Sequence, residues 1–318
     1  MGETIQFPDE YQRYLLKANQ LMDQGEYLSA ASYFERAYRL APSFAVNYAW
    51  VRSLIKQEAF DQALTITDEW YHEYFEHPEG FVVYAQILML SRRFLKARKY
   101  LLAKKNAGYS NEAVLEELFQ QLSQLENVQQ LIDPESVLHK RRLLKQLDGA
   151  IGAITQNDWD VLTQNITYRS FVSLLGEFLP NVRNPFVRPR LVEELVKLDC
   201  GKIFIIQDFE GHERECQPNL LTLPENSETL RKMVRHVEET LGQDDPALSE
   251  AIIAEIRAHA AIAFPFLPQD DQPEKWAESY VLEYEEMFGN QQAQQELENY
   301  QEIQKQKQRY RQIFQQLI

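Results

Sequence analysis

Apolar residues in the first third of the chain fall into a pattern that comes back twice. Tyr27, Phe60 and Phe94 each stand three places before an alanine (Ala30, Ala63, Ala97), and each pair opens a stretch with apolar positions at three- and four-residue steps. That spacing lays one apolar stripe along a helix. The three stretches are GEYLSAASYFERAYRLAP (25–42), EAFDQALTITDEWYHEYFEHP (58–78) and SRRFLKARKYLLAKK (91–105). NEAVLEELFQQLSQL (111–125) predicts a further helix with Val114, Leu115, Leu118, Phe119 and Leu122 on its apolar side and Ser110 or Asn111 as its cap. PESVLHKRRLLKQL predicts another from Pro134, its HKRR run read as a solvated basic face.

Past Gly152 the recurrence is lost. NDWDVLTQNI, TYRSFVSLLGEFL and NPFVRPRLVEELVKLD read as helices, the last starting near Pro185. The period then changes to two in KIFIIQDF and HERECQP, joined at Glu210–Gly211, which predicts one β-hairpin. Three helices follow. PENSETLRKMVRHVEETLG carries a cap at Asn226 or Ser227, and DDPALSEAIIAEIRAHAAIAF and PEKWAESYVLEYEEMFG each have proline near the start. In the glutamine-rich tail 290–318, Tyr300, Ile303, Tyr310, Phe314 and Leu317 form a stripe that Lys307 interrupts. Such a stripe suits a helix packed on its own domain, a homodimer seam, or a segment lying in a groove.

The recurring aromatics lie 33 and 34 residues apart, close to the helix–turn–helix period of about 34 residues. In its period, and in Ala30, Phe34, Ala37 and Pro42 of the first unit, the chain resembles the tetratricopeptide (TPR) repeat family. A small residue at Ala30 lets paired helices approach, Phe34 fills the space between units, and Pro42 stops the helix. The chain departs from the family at Tyr14, Lys17 and Ala18 in the first helix, at Glu58, Thr67 and Trp70 in the second unit, and at Leu101 in the third. The resemblance implies an all-α fold: a right-handed TPR-like superhelix of units at about 11–43, 44–77 and 78–108, closed by a capping helix within 1–130. A helical domain (131–289) with a hairpin near 202–217 and a C-terminal helix (290–318) would complete it. NPFVRPRLVEEL, PNLLTL, AFPF and KWAESY are also similar to the C-terminal region of uncharacterised cytosolic TPR proteins of Firmicutes.

In TPR stacks the first helix of each unit lines the groove. Carried over, the groove positions are Leu15, Asn19 and Met22, then Tyr48, Arg52 and Lys56, then Val82, Gln86 and Met89. The carboxylate clamp of the chaperone-tail subclass is not expected. Only Asn19 agrees with it, and Leu15, Ala49, Glu79 and Val83 stand at its other positions.

Composition narrows the function classes. The net charge of −15 is uneven, −3 over residues 1–150 and −12 over 151–318, so phosphate backbones are repelled and no nucleic-acid partner is expected. Only 11 glycines, with neither GxxxxGK[ST] nor GxGxxG, argue against a phosphate-cradling enzyme. Six histidines form no HExxH or HxxxH pair, GxSxG is absent, and no metal or cofactor is expected. Asp244–Asp245, Asp270–Asp271 and Glu283/Glu285/Glu286 are read as caps and solvated acids. Cys200 and Cys216 are expected as reduced thiols that do not face each other across the hairpin. The N-terminus lacks a signal-peptide pattern, and Gln6 breaks a myristoylation match at Gly2. The sequence therefore predicts a cytoplasmic, non-enzymatic adaptor that binds a protein or peptide in the repeat groove. A signal-peptide-responsive regulator and an enzyme in the second half are the alternatives.

Overall fold

The computed structural model describes residues 8–132, 135–150, 152–208, 210–267 and 272–315. Gly2, Gln6, Pro134, Phe209, Asp270, Asp271 and Leu317, which entered the expectations above, lie outside them. The protein is mainly helical, and among the described residues its sheet is a single two-stranded antiparallel hairpin. Two compact units divide the chain. One holds residues 1–134 with 163–168, the other 135–162 with 169–318. No helix among the described residues is long and apolar enough to cross a membrane.

The first unit contains α1 (Pro8–Asp23), α2 (Tyr27–Leu40), α3 (Phe44–Lys56), α4 (Phe60–Asp68), α5 (Tyr71–Glu76), α6 (Pro78–Leu90), α7 (Phe94–Asn106) and α8 (Glu112–Ile132). These helices pack chiefly on their chain neighbours. One turn geometry recurs. Gly25, Glu58 and Arg92 adopt φ of 79°, 58° and 56°, at the ends of α1, α3 and α6. At each, two backbone bonds close the helix: Gly25 N–H to Met22 and Glu26 N–H to Leu21, Glu58 to Ile55 and Ala59 to Leu54, Arg92 to Met89 and Arg93 to Leu88. This is the Schellman ending, which places its C′ residue in the left-handed region. Glycine meets that demand at Gly25, whereas Glu58 and Arg92 carry its steric cost.

Two residues beyond each such position comes the aromatic that opens the next helix. Ala30, Ala63 and Ala97 are fully buried, as are Phe34, Thr67 and Leu101 four residues on from each. The middle hairpin is irregular at Thr67. Its hydroxyl donates to the carbonyls of Ala63 and Leu64 at 3.0 and 2.9 Å, which diverts the backbone acceptors of the last turn. The helix stops at Asp68, and Trp70 turns its indole N–H onto the Tyr38 hydroxyl at 2.6 Å before α5 begins. Gly80 is buried where a Cβ would come within 3.3 Å of the Phe44 ring, so its lack of a side chain permits α6 to approach α3. An aromatic core follows, with Tyr74 donating to buried Asn47 at 2.8 Å and Phe81 stacked on Tyr100 at 5.1 Å.

α8 runs farther than its apolar pattern predicts because its last turns hold the segment 163–168. Buried Glu126 pairs with Arg98 at 3.0 Å and accepts the Tyr168 backbone N–H at 2.5 Å. Gln130 donates to Thr167 at 2.9 Å.

The second unit contains α9 (Glu135–Gly149), α10 (Gln156–Thr163) except its last residue, α11 (Tyr168–Phe178) except its first, α12 (Val187–Lys197), β1 (Phe204–Gln207), β2 (Glu213–Cys216), α13 (Glu228–Leu241), α14 (Pro246–Ala263), α15 (Pro273–Met287), α16 (Gln291–Leu297) and α17 (Gln301–Gln315). α12 starts at Val187 because Asn184 is committed elsewhere. Its amide donates to the carbonyls of Leu147, Ala150 and Gly152, and its side-chain oxygen accepts the Phe186 N–H at 2.9 Å. Ser227 caps α13 and Asp245 caps α14, each accepting an N–H three residues on at 3.0 Å. The hairpin pairs Phe204 with Cys216 through Gln207 with Glu213. Cys216 is thus opposite Phe204, and both cysteines are buried free thiols. Burial, with a smaller contribution from Cys200, raises the Cys216 pKa to about 11 and keeps it protonated.

Candidate functional site

The positions proposed to line the groove lie on α1, α3 and α6. Asn19, Arg52 and Lys56 are exposed, and Leu15, Met22, Tyr48, Val82 and Gln86 are half-buried. Met89 is different. It is only 2% exposed within the core of the first unit, so it is a packing residue and presents nothing to a partner. Leu15, Met22, Tyr48 and Val82 also rest one side against that core.

The structure joins α3 and α6 directly. The Tyr48 hydroxyl donates to Glu79 at 3.4 Å, and its ring lies 6.0 Å from His77 and 6.2 Å from Tyr74. Burial and the Glu79 carboxylate raise the Tyr48 pKa, so it remains a phenol and a donor. Arg52 and Lys56 continue along α3 by one and two turns, and neither forms an ion pair among the described residues. The face consequently has a polarity. Its Tyr48 end carries an acid, and its Lys56 end carries two unpaired cations.

A second polar assembly, in the other unit, was not anticipated from sequence. Lys307 of α17 is fully buried, yet its ammonium donates to the Ser279 carbonyl at 2.9 Å and to Glu283 at 2.6 Å. It also lies 4.3 Å above the Tyr280 ring. Arg311 binds Glu283 through two nitrogens and Glu255 at 2.6 Å. His259, 1% exposed, shares a 2.6 Å hydrogen bond between Nδ1 and the Tyr280 hydroxyl, with Nε2 3.7 Å from Glu255. Burial lowers Lys307 to about 8 against the opposing pull of Glu283, so it is charged at neutral pH. Burial would raise Glu283, but the hydrogen bonds and charges of Arg311 and Lys307 outweigh it and leave its pKa lowered. Burial brings His259 down to about 4.

Two acids balance two bases in this cluster, and every charge has a hydrogen-bonded partner. That arrangement fastens α17 to α14 and α15. The tail stripe is therefore used within its own unit: Tyr310 is buried, with Ile303 and Phe314 partly covered by the same core. Among the described residues no group of three or more His, Cys, Asp or Glu is placed to hold a metal ion.

No protein-family model matches the chain, and neither a curated protein nor a solved structure does.

Proposed function

We propose that the first unit is a TPR-like repeat array whose α1, α3 and α6 faces bind a peptide segment, and that the protein is a non-enzymatic adaptor. The observation that carries this reading is the return of one left-handed helix ending at Gly25, Glu58 and Arg92, in step with the buried alanines. A helical hairpin repeated at that period leaves the first helix of each pair with a face not used by its neighbours. The surviving face is apolar to mixed: Leu15, Met22, Tyr48 and Val82 with Asn19, Gln86, Arg52 and Lys56.

Affinity comes from the half-buried apolar side chains, and Arg52 and Lys56 select a segment with acids at one end. Glu79 beside Tyr48 repels acids at the other end, so the bound segment has one polarity.

The test uses charge reversal at exposed residues, because Tyr48 supports the aromatic core. Full-length protein and an Arg52→Glu/Lys56→Glu variant are compared in pull-downs from cell lysate with mass spectrometry, and captured proteins are mapped with overlapping peptides. The reading expects a short acidic-ended peptide that binds the wild type and loses at least about tenfold in affinity with the variant. Equal recovery by both proteins refutes it.

A further inference from the structure

A cavity of about 310 Å³ opens in the first unit where the turn after α3, the turn after α6 and residues 164–165 come together. Its charges are segregated. Glu58 of the α3–α4 turn and Asp61 of the first turn of α4 line one part, and Arg92 and Arg93 line it from the α6–α7 turn. None of the four forms an ion pair among the described residues. Opposite charges that line one cavity without meeting leave between them a gap matched to a molecule bearing both signs.

The remaining walls are suited to a small polar ligand. Gln164 and Asn165 add amides, and the Asn165 backbone N–H donates to the Arg92 carbonyl at 3.1 Å, holding this segment to the basic turn. Phe60 and Leu90 supply an apolar edge.

We infer that this cavity binds a free α-amino acid, with its ammonium toward Glu58 and Asp61 and its carboxylate toward Arg92 and Arg93. Size supports a single small molecule. The volume is at the lower end of the roughly 300–1,000 Å³ range of ligand pockets and is too small for a folded segment. Arginine is the side chain whose planar fork matches a carboxylate. The inference is independent of the groove, since none of the residues that read the ligand lies at a groove position.

Full-length protein is titrated calorimetrically with each of the protein amino acids. At least one is expected to bind with a dissociation constant at or below about 1 mM. Its α-amide, which lacks the carboxylate, and its N-acetyl form, which lacks the ammonium, are each expected to bind at least about tenfold more weakly. Arg93→Gln should remove the preference for carboxylate over amide, and Asp61→Asn should reduce the preference for ammonium over N-acetyl. Circular dichroism and melting confirm that both variants fold. Absence of heat with every amino acid at concentrations up to about 10 mM overturns the proposal. So does equal binding of the blocked forms, or an undiminished carboxylate preference in Arg93→Gln.

Discussion

Acid should loosen the second unit through one residue, His259. Its ring is buried between α14, α15 and α17, and it faces the Tyr280 hydroxyl and the carboxylate of Glu255. Lys307 and Arg311 of α17 oppose its protonation, Glu283 of α15 and Glu255 of α14 favour it, and burial outweighs them all. The folded pKa of about 4 lies below the unfolded value of 6.5, so between those limits the unfolded chain binds more protons. Stability contributed by neutral His259 is complete above about pH 6.5 and is lost as the pH falls toward 4.

With about 1.36 kcal/mol per pH unit, the loss reaches about 3 kcal/mol by pH 4. His259→Gln keeps an acceptor for Tyr280 and cannot titrate. The assay is urea unfolding from pH 4 to 8 followed by Trp276, which belongs to the same core, with the other tryptophans replaced by phenylalanine in both proteins. Common carboxylate effects cancel in the comparison. The wild type should lose about 3 kcal/mol more than the variant between pH 7 and 4. Parallel pH profiles would refute the assignment of this acid sensitivity to His259.

Lys307→Ala should destabilise the second unit by about 3–5 kcal/mol, because Glu283 and the Ser279 carbonyl lose a buried cation. Lys307→Met, which keeps most of the side-chain volume, should cost distinctly less, and equal costs in urea titrations would show that restoring volume recovers nothing. Ala63→Leu should cost about 1–3 kcal/mol by overpacking a fully buried site between α3 and α4, read as a lower urea midpoint for Trp50 fluorescence. Glu58→Gly should stabilise the first unit by about 1 kcal/mol, read as a higher urea midpoint, since the helix ending at φ 58° suits glycine, and a lower midpoint would contradict the strain argument.

Several of these features were readable in the sequence, and the others were hidden for identifiable reasons. The alanines at 30, 63 and 97 marked where helices pair, and their burial follows from size and period alone. Glycine at 25 signalled a left-handed ending, but Glu58 and Arg92 carry no such signal. Met89 was assigned to a surface through family register. α6, FVVYAQILML over its last ten positions, is apolar on nearly every side, so its pattern could not separate inside from outside. Lys307 read as a break in the tail stripe because a lone sequence cannot show that Ser279 and Glu283, 28 and 24 residues earlier, supply its partners. The cavity is equally non-local, since its acids, bases and amides come from three separated segments.

The cost at Glu58 and Arg92 bears on function. A Schellman ending requires only a left-handed C′ residue, and glycine would provide it without a Cβ penalty, as Gly25 does at the first turn. The first turn contributes nothing to the cavity, while the second and third contribute a carboxylate and a guanidinium to it. Among these three turns, the one with glycine lies outside the cavity and the two with charged residues line it, whereas Asp199 takes the same ending after α12 without lining it. Glu58→Gly separates the two roles in one protein. If the carboxylate serves the proposed ligand, the variant gains stability and loses amino-acid affinity together. A variant that is more stable and binds an amino acid as tightly as the wild type would show that the strain at Glu58 is not kept for that ligand.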